Sequence, residues 1–153
     1  MKLETTDIIK ELLDAKMLER WARYLAAYRA FEGNLALFDK LARCRDLREF
    51  EDAIYEAARV RDRVLEKLKD LAREVLRKKS EMSNEDVERF AEQFAEIFVV
   101  SDADLKDLVE FATKNENAPR MVGSLTASFA LLHSNPEQIL EWKLKKGENV
   151  ERR

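Results

Sequence analysis

The sequence predicts an all-α protein: a compact bundle of about six to seven helices with one long central helix. Along almost the whole chain of 153 residues, apolar side chains recur three and four positions apart, the period of an amphipathic helix. Only three glycines and two prolines interrupt this pattern, and Ser-x-x-Asp boxes, which cap helix N-termini, occur twice. The length fits a single helical domain over residues 1–153, with a frayed tail over about 147–153.

The first helix is expected to have Thr6 or Asp7 as its N-cap and to carry one wide apolar face as far as Tyr28. Gly33 then marks a helix end, because glycine readily takes the left-handed conformation that closes a helix. A short second helix follows and ends near residues 44–46.

The longest predicted element runs from Leu47 to Lys79, with Asp46 as its N-cap. The positions of its apolar face alternate three and four residues apart, as in a coiled-coil seam, and all but position 61 hold apolar residues. They are Leu47, Phe50, Ile54, Ala57, Val64, Leu68, Leu71 and Val75. A straight helix over this range is about 50 Å long, more than a compact domain of this size can cover. A break near residues 59–62 is the alternative, although no glycine or proline stands there.

Cap signals divide the second half of the chain. Ser83 and Ser101, each followed three residues later by an aspartate, are expected to open two helices. Residues 114–119 form the clearest loop, and a sixth helix follows over residues 120–133. Asn135-Pro136 then opens a short last helix, since proline is favoured at the first helical position.

The shortage of histidine and cysteine excludes several kinds of metal site, and with them several classes of enzyme. His133 and Cys44 are the only residues of their types, so one chain cannot build a zinc finger or a ferritin-like di-iron site. Three glycines cannot form a glycine-rich phosphate loop. Arg43 and Arg45 would lower the thiol pKa of Cys44 if it were exposed, but no motif marks an oxyanion hole or substrate pocket. We therefore expect neither a cofactor nor catalysis.

The composition also bears on location. A start without an apolar signal core, no long apolar stretch and a lone cysteine favour a protein of the cytoplasm. Charged residues make up 39% of the chain, which is typical of thermophile proteins and equally of long solvated helices.

A net charge of −3 conceals an uneven distribution along the chain. Residues 20–79 hold 16 basic against 11 acidic side chains, and residues 81–118 hold 3 basic against 11 acidic ones. The first 19 residues contribute −2 and residues 119–153 contribute +2. This division indicates complementarity within the chain or between copies, unless each segment is simply a solvated helix face.

The basic side chains of the long predicted helix and of the loop before the sixth helix are candidates for nucleic-acid binding. They are Arg59, Arg61, Arg63, Lys67, Arg73, Arg77, Lys78, Lys79, Lys114 and Arg120. Neighbouring acids allow the alternative of a salt-bridged, solvent-exposed helix. Lys78 and its two basic neighbours form the best single anion contact, although they also complement the helix dipole.

Arg61 occupies a seam position where the other members are apolar. Its charge can snorkel beside Ala57 and Ala58, pair with a carboxylate, or face a ligand or partner. In the sixth helix, Gly123 and Ala127 lie four residues apart and permit a close approach of another element. That approach is either tight core packing or a docking face.

Two segments carry a resemblance to a known family. They are Phe50-Glu51-Asp52-Ala53-Ile54-Tyr55-Glu56-Ala57-Ala58-Arg59 and Arg120-Met121-Val122-Gly123-Ser124-Leu125-Thr126-Ala127. With these segments and its all-helical, highly charged character, the chain resembles the small subunit of the archaeal type I-A CRISPR interference (Cascade) complex. The resemblance implies a non-enzymatic helical subunit in antiviral defence, which joins other subunits and copies of itself along guide RNA. It also implies that basic side chains help to hold target DNA. The alternative is a helical protein–protein adaptor or coiled-coil scaffold without nucleic acid.

Overall fold

A computed structural model describes residues 4–79 and 81–151, which form nine α-helices and no strand. The helices are α1 (Thr5–Asp14), α2 (Met17–Glu32), α3 (Ala36–Arg43), α4 (Leu47–Ala58), α5 (Arg61–Lys79), α6 (Asn84–Glu96), α7 (Asp102–Phe111), α8 (Ala118–Leu132) and α9 (Pro136–Glu151). The all-α class is confirmed. The predicted number of six to seven helices is wrong, because two helices expected to be continuous are each broken once.

The first break separates α1 from α2 at Ala15 and Lys16. Lys16 has a φ of 58°, in the left-handed region, so the chain turns there without a glycine. The N–H groups of Ala15 and Lys16 still bond to the carbonyls of Glu11 and Leu13, which close the end of α1. The N-cap of α1 is Glu4, two or three residues before the predicted cap at Thr6 or Asp7.

The second break divides the predicted central helix at Arg59 and Val60, so the prediction of one long helix is wrong and the alternative break is correct. In a continuous helix, the carbonyls of Ala57 and Ala58 would accept bonds from the backbone. Instead, the Tyr24 hydroxyl donates to the Ala57 carbonyl, and the Arg61 Nε donates to the Ala58 carbonyl at 3.0 Å. Two side chains therefore satisfy the end of α4 and permit the turn.

Most predicted caps are present. Asp46 accepts a bond from the Glu49 N–H, and Gly33 has a φ of 64° in the left-handed region. Ser101 and Asp104 form a reciprocal capping box, and the Asn135 side chain accepts from the Gln138 N–H. The sequence predicts a short last helix with a tail over about 147–153, whereas α9 continues to Glu151. Residues 152–153 lie outside the described ranges.

The core lies between α2, α3, α4, α5, α6 and α8, with large buried side chains such as Trp21, Phe50 and Phe94. The most extensive helix pairs are α5 with α6, α3 with α8, and α2 with α8. Gly123 lies against the carbonyl of Leu41 and the sulfur of Cys44. The close approach predicted at Gly123 and Ala127 is therefore core packing and not a docking face. Among the helices described, none has both the length and the apolar character needed to span a bilayer.

Candidate nucleic-acid interface

Intramolecular ion pairs hold half of the ten candidate cations. Arg63 and Lys67 both bind Glu32 at the end of α2, with 2.7 Å from Arg63 Nε to Glu32 Oε1. These two partners lower the pKa of the Glu32 carboxyl, chiefly through the Arg63 hydrogen bond. The three side chains thus fasten α5 to α2, and their charges are largely satisfied within the chain.

Further along α5, Arg73 binds Glu88 of α6 through two nitrogens, at 2.8 and 2.9 Å, and also contacts Asp70. The hydrogen bond to Glu88 raises the Arg73 pKa, and the same bond lowers the Glu88 pKa. Lys78 pairs with Glu74 one turn earlier on the same helix. This part of α5 matches the salt-bridged alternative.

Ion pairs also join the basic segment to the acidic one. Arg20 binds Asp104 at 2.9 Å, and Arg61 binds Asp102 at 2.7 Å, while Arg73 of α5 reaches the acidic helix α6. The basic and acidic segments found in the sequence therefore form ion pairs with each other within one chain.

Four candidates have no carboxylate partner among the residues whose side chains the structure describes. Lys114 lies over the Phe111 ring at 6.0 Å, a cation–π contact. Arg59, Arg77 and Arg120 are exposed, and their guanidinium groups make no ion pair or hydrogen bond within the described ranges. Arg77 still helps to lower the Glu88 pKa through space. The Lys79 side chain lies outside the described residues.

Arg59 stands at the turn between α4 and α5, where a second feature accompanies it. Its backbone N–H bonds to the Tyr55 carbonyl at 2.9 Å, so α4 geometry continues to this residue and both side chains leave the same face. Tyr55 is 47% exposed, a larger fraction than any other described aromatic residue except Trp142. We call Tyr55, Arg59, Arg61 and Arg63 the junction surface.

Two clefts flank Arg59 on this surface. One, of about 370 Å³, is lined by Arg59, Arg61 and Asp102 together with the exposed Val99. The other, of about 280 Å³, is lined by Arg59, Arg63 and Glu32. Lys67 is tied to the second cleft through Glu32, so the structure brings four of the candidate cations together. Lys114 and Arg120 share no ion pair or hydrogen bond with this group in the described ranges.

Arg61 pairs with a carboxylate, which was one of its three predicted roles, and makes further contacts as well. Besides Asp102, it donates to the carbonyls of Ala58 and, at 3.1 Å, Val100. Its side chain is only 28% exposed, and the helix ends before it, so it is not a charge embedded in a continuous apolar seam. Arg61 fastens the α4–α5 turn to the segment before α7.

Sequence reasoning did not select Tyr55 as a site residue. The signal was present, because Tyr55 directly follows the seam residue Ile54, which is fully buried, and so points to a different face of α4. A large aromatic side chain off the apolar line of a helix is a candidate for a surface contact.

Cys44 is not the activated thiol that an exposed position would have produced. It is 1% exposed, and its Sγ donates to the Pro119 carbonyl at 3.1 Å. Burial raises the pKa of the thiol to about 11. His133, after the end of α8, has its Nδ1 3.0 Å from the Ser134 carbonyl. Cys44 therefore contacts the start of α8, 75 positions further along the chain, whereas the described contact of His133 is with its own neighbour.

We expect Cys44 to react slowly with a water-soluble disulfide reagent at pH 8. A pKa of about 11 leaves roughly one thiol in a thousand ionised at that pH, and only the thiolate attacks. Absorbance of the released thiolate measures the rate, with the unfolded chain in denaturant as the control. Native reactivity equal to that of the unfolded chain would contradict the buried assignment.

No group of three or more histidine, cysteine, aspartate or glutamate side chains suited to a metal ion occurs in the part of the chain that the structure describes. Comparison with known protein families, curated proteins and solved structures finds no match to this chain.

Proposed function

We propose that this chain is a non-catalytic small subunit of a CRISPR RNA-guided interference complex of the cytoplasm, where it helps assembly and contacts target DNA or guide RNA. The observation that carries the proposal is the junction surface, where an unpaired arginine and an exposed tyrosine lie one helical turn apart. Aromatic rings on which bases stack, beside cations that meet phosphates, are typical of proteins that bind single strands.

The affinity of this surface for a nucleic-acid strand is expected to be modest. Arg59 supplies a full charge to a phosphate, because no carboxylate lies within 4.0 Å of it among the described residues. Arg63 is 58% exposed and keeps part of its guanidinium accessible while it binds Glu32. Tyr55 offers a ring face to a base without reading its sequence. The surface therefore suits a subunit that holds a strand already positioned by other subunits.

We expect Arg59→Glu to weaken binding of a labelled single-stranded oligonucleotide by about tenfold, because it replaces a phosphate contact by repulsion. Fluorescence anisotropy over a range of salt concentrations measures the affinity. The slope of log affinity against log salt should fall by about one unit. Tyr55→Ala should weaken binding by about fivefold or more with an unchanged slope, since stacking releases no counterions.

Arg43→Glu is the matched control, because Arg43 is also exposed but pairs with Asp39 away from the junction surface. Its affinity should stay within about twofold of the wild type. Equal losses for Arg43→Glu and Arg59→Glu would show a diffuse charge effect and would reject the site. No binding by the wild type at low salt, alone or in its complex, would reject the function.

A helical protein–protein adaptor without nucleic acid is the second candidate, and one observation favours it. Five of the ten candidate cations, including Arg63 and Arg73, hold carboxylates of the same chain. Such pairs leave less positive charge for phosphates than the sequence suggests. The same anisotropy experiment separates the two functions, because an adaptor shows no salt-dependent nucleic-acid binding.

A further inference from the structure

The Glu32 carboxylate lies between two cations at the edge of the junction surface. Its Oε1 accepts a hydrogen bond from Arg63, 2.7 Å from Nε, and its Oε2 lies 3.3 Å from the Lys67 ammonium. Arg59 and Glu32 line the same cleft of about 280 Å³. A carboxylate and a phosphate diester each carry one negative charge and accept hydrogen bonds from the same donors. Arg63 and Lys67 can therefore hold either anion.

The two cations are more accessible to a ligand than the carboxylate between them. The side chains of Arg63 and Lys67 are 58% and 39% exposed, whereas that of Glu32 is 14% exposed. Arg63 also lines the cleft beside Arg59, so a strand with one phosphate on Arg59 passes Arg63 as well. A phosphate can thus approach this ion pair from the solvent side.

The position of Glu32 depends on the two cations. Glu32 is the last residue of α2, where the partial negative charge of the helix end repels a carboxylate. The hydrogen bond from Arg63 and the contact with Lys67 offset this repulsion and lower the pKa of the Glu32 carboxyl. Lys67 also donates to the Phe31 carbonyl at 3.3 Å, and its three donors allow it to keep this bond while it binds another anion. Loss of the Glu32 contact therefore need not separate α5 from α2.

We propose that Arg63 and Lys67 form a second phosphate site, which Glu32 occupies in the free protein and from which a phosphate of the bound strand displaces it. The site rests on the proposed function, since it lies beside the phosphate contact of Arg59. In the exchange, one singly charged anion replaces another at the same two cations, and the Glu32 side chain turns into solvent. Glu32 competes with the strand and keeps the affinity of the surface low.

Glu32→Gln tests the competition by fluorescence anisotropy with a labelled oligothymidylate at low salt. The amide keeps the size of the side chain and removes its charge, so the affinity should rise about threefold to fivefold, the strength of an exposed ion pair. Glu88→Gln is the matched control, because Glu88 holds Arg73 of α5 and lines neither cleft of the junction surface. Its affinity should stay within about twofold of the wild type. Equal gains in both variants would overturn the second site.

Lys67→Met in the Glu32→Gln chain tests whether Lys67 itself contacts the strand. Loss of one phosphate contact should weaken binding by about threefold or more relative to Glu32→Gln alone. Lys69→Met in the same chain is the matched control, because Lys69 lies on the same helix but pairs with Glu66. Equal effects of the two lysine substitutions would reject Lys67 as part of the site.

The exchange itself is measured on the wild type by NMR titration of the Glu32 carboxyl with and without saturating oligothymidylate. Its pKa should rise in the complex, because the strand takes up both cations and adds negative charge nearby. A pKa that stays low in the complex would overturn the exchange and would show that Glu32 remains between Arg63 and Lys67. Since this measurement uses no variant, it decides the question even if Glu32→Gln fails to fold.

Arg59→Glu separates a failure of the second site from a failure of the proposed function. If neither the wild type nor Glu32→Gln binds the oligonucleotide, both proposals are rejected together. If Arg59→Glu weakens binding while Glu32→Gln leaves it unchanged, the junction surface stands and the second site alone is rejected. Circular dichroism confirms that each variant is folded.

Discussion

Arg61→Leu is expected to lower the free energy of unfolding by about 2–4 kcal/mol. The substitution removes the donors to the carbonyls of Ala58 and Val100 and the ion pair with Asp102. The two carbonyls lie in partly buried positions, where an acceptor without a donor is costly. Urea unfolding followed by circular dichroism measures the change. It would be among the larger effects of a single substitution in this chain.

The control for this experiment is Arg43→Leu, because Arg43 makes only an exposed ion pair with Asp39 on the same helix. Its free energy of unfolding should change by about 0.5 kcal/mol or less. Arg61→Lys should recover only part of the stability, since an ammonium group cannot reproduce the planar set of donors. An Arg61→Leu variant as stable as the wild type would refute the structural role of Arg61 at the turn.

Gly123→Ala is expected to destabilise the protein by about 2–3 kcal/mol. A Cβ atom at this position would press against the Leu41 carbonyl and lie 2.6 Å from the Cys44 sulfur. The carbonyl belongs to the backbone of α3, so α3 and α8 must move apart to relieve the clash. Thermal and urea unfolding measure the loss. The Cys44 thiol serves as a second reporter, because separation of the helices should make it react faster.

Ser124→Ala is the matched control for Gly123→Ala, since Ser124 is the next residue of α8 and is exposed. Its unfolding free energy should lie within about 0.5 kcal/mol of the wild type. If both variants matched the wild type in stability and in Cys44 reactivity, the close α3–α8 contact would be wrong.

The parts of the fold that depend on local chemistry could be predicted from the sequence. Asp46, Ser83, Ser101 and Asn135 each cap the helix that they were expected to cap, because a short polar side chain satisfies N–H groups only a few residues away. Gly33 likewise needs no distant partner to adopt its conformation.

The sequence indicated the break at Arg59 only as an alternative and did not indicate the break at Lys16. The break at Arg59 depends on Tyr24, whose hydroxyl reaches the Ala57 carbonyl across 33 positions of sequence. Lys16 turns the chain with a left-handed conformation that lysine rarely takes, so a lysine at this position does not predict a helix end. At Arg59, a contact between distant residues therefore overrides a continuous apolar period.

The candidate site was predicted in part for the same reason. Spacing of four residues correctly placed Arg63 and Lys67 near each other on α5, since the helical repeat is local. Arg59 lies on the other side of the helix break and meets Arg63 at a cleft. Spacing could not reveal that Glu32 of α2 binds both Arg63 and Lys67, because that pairing spans more than thirty residues. Only the structure separates the cations that are satisfied within the chain from Arg59, which is not.

An amide chemical-shift titration with a short oligonucleotide shows whether the junction surface contacts a single nucleic-acid strand. NMR spectra of the labelled chain should show the largest shifts at residues 55–63 and at residues 99–102, which border the two clefts. Amides of α1 should not move. Saturating oligonucleotide that leaves residues 55–63 unshifted, or that shifts another face instead, would contradict the account.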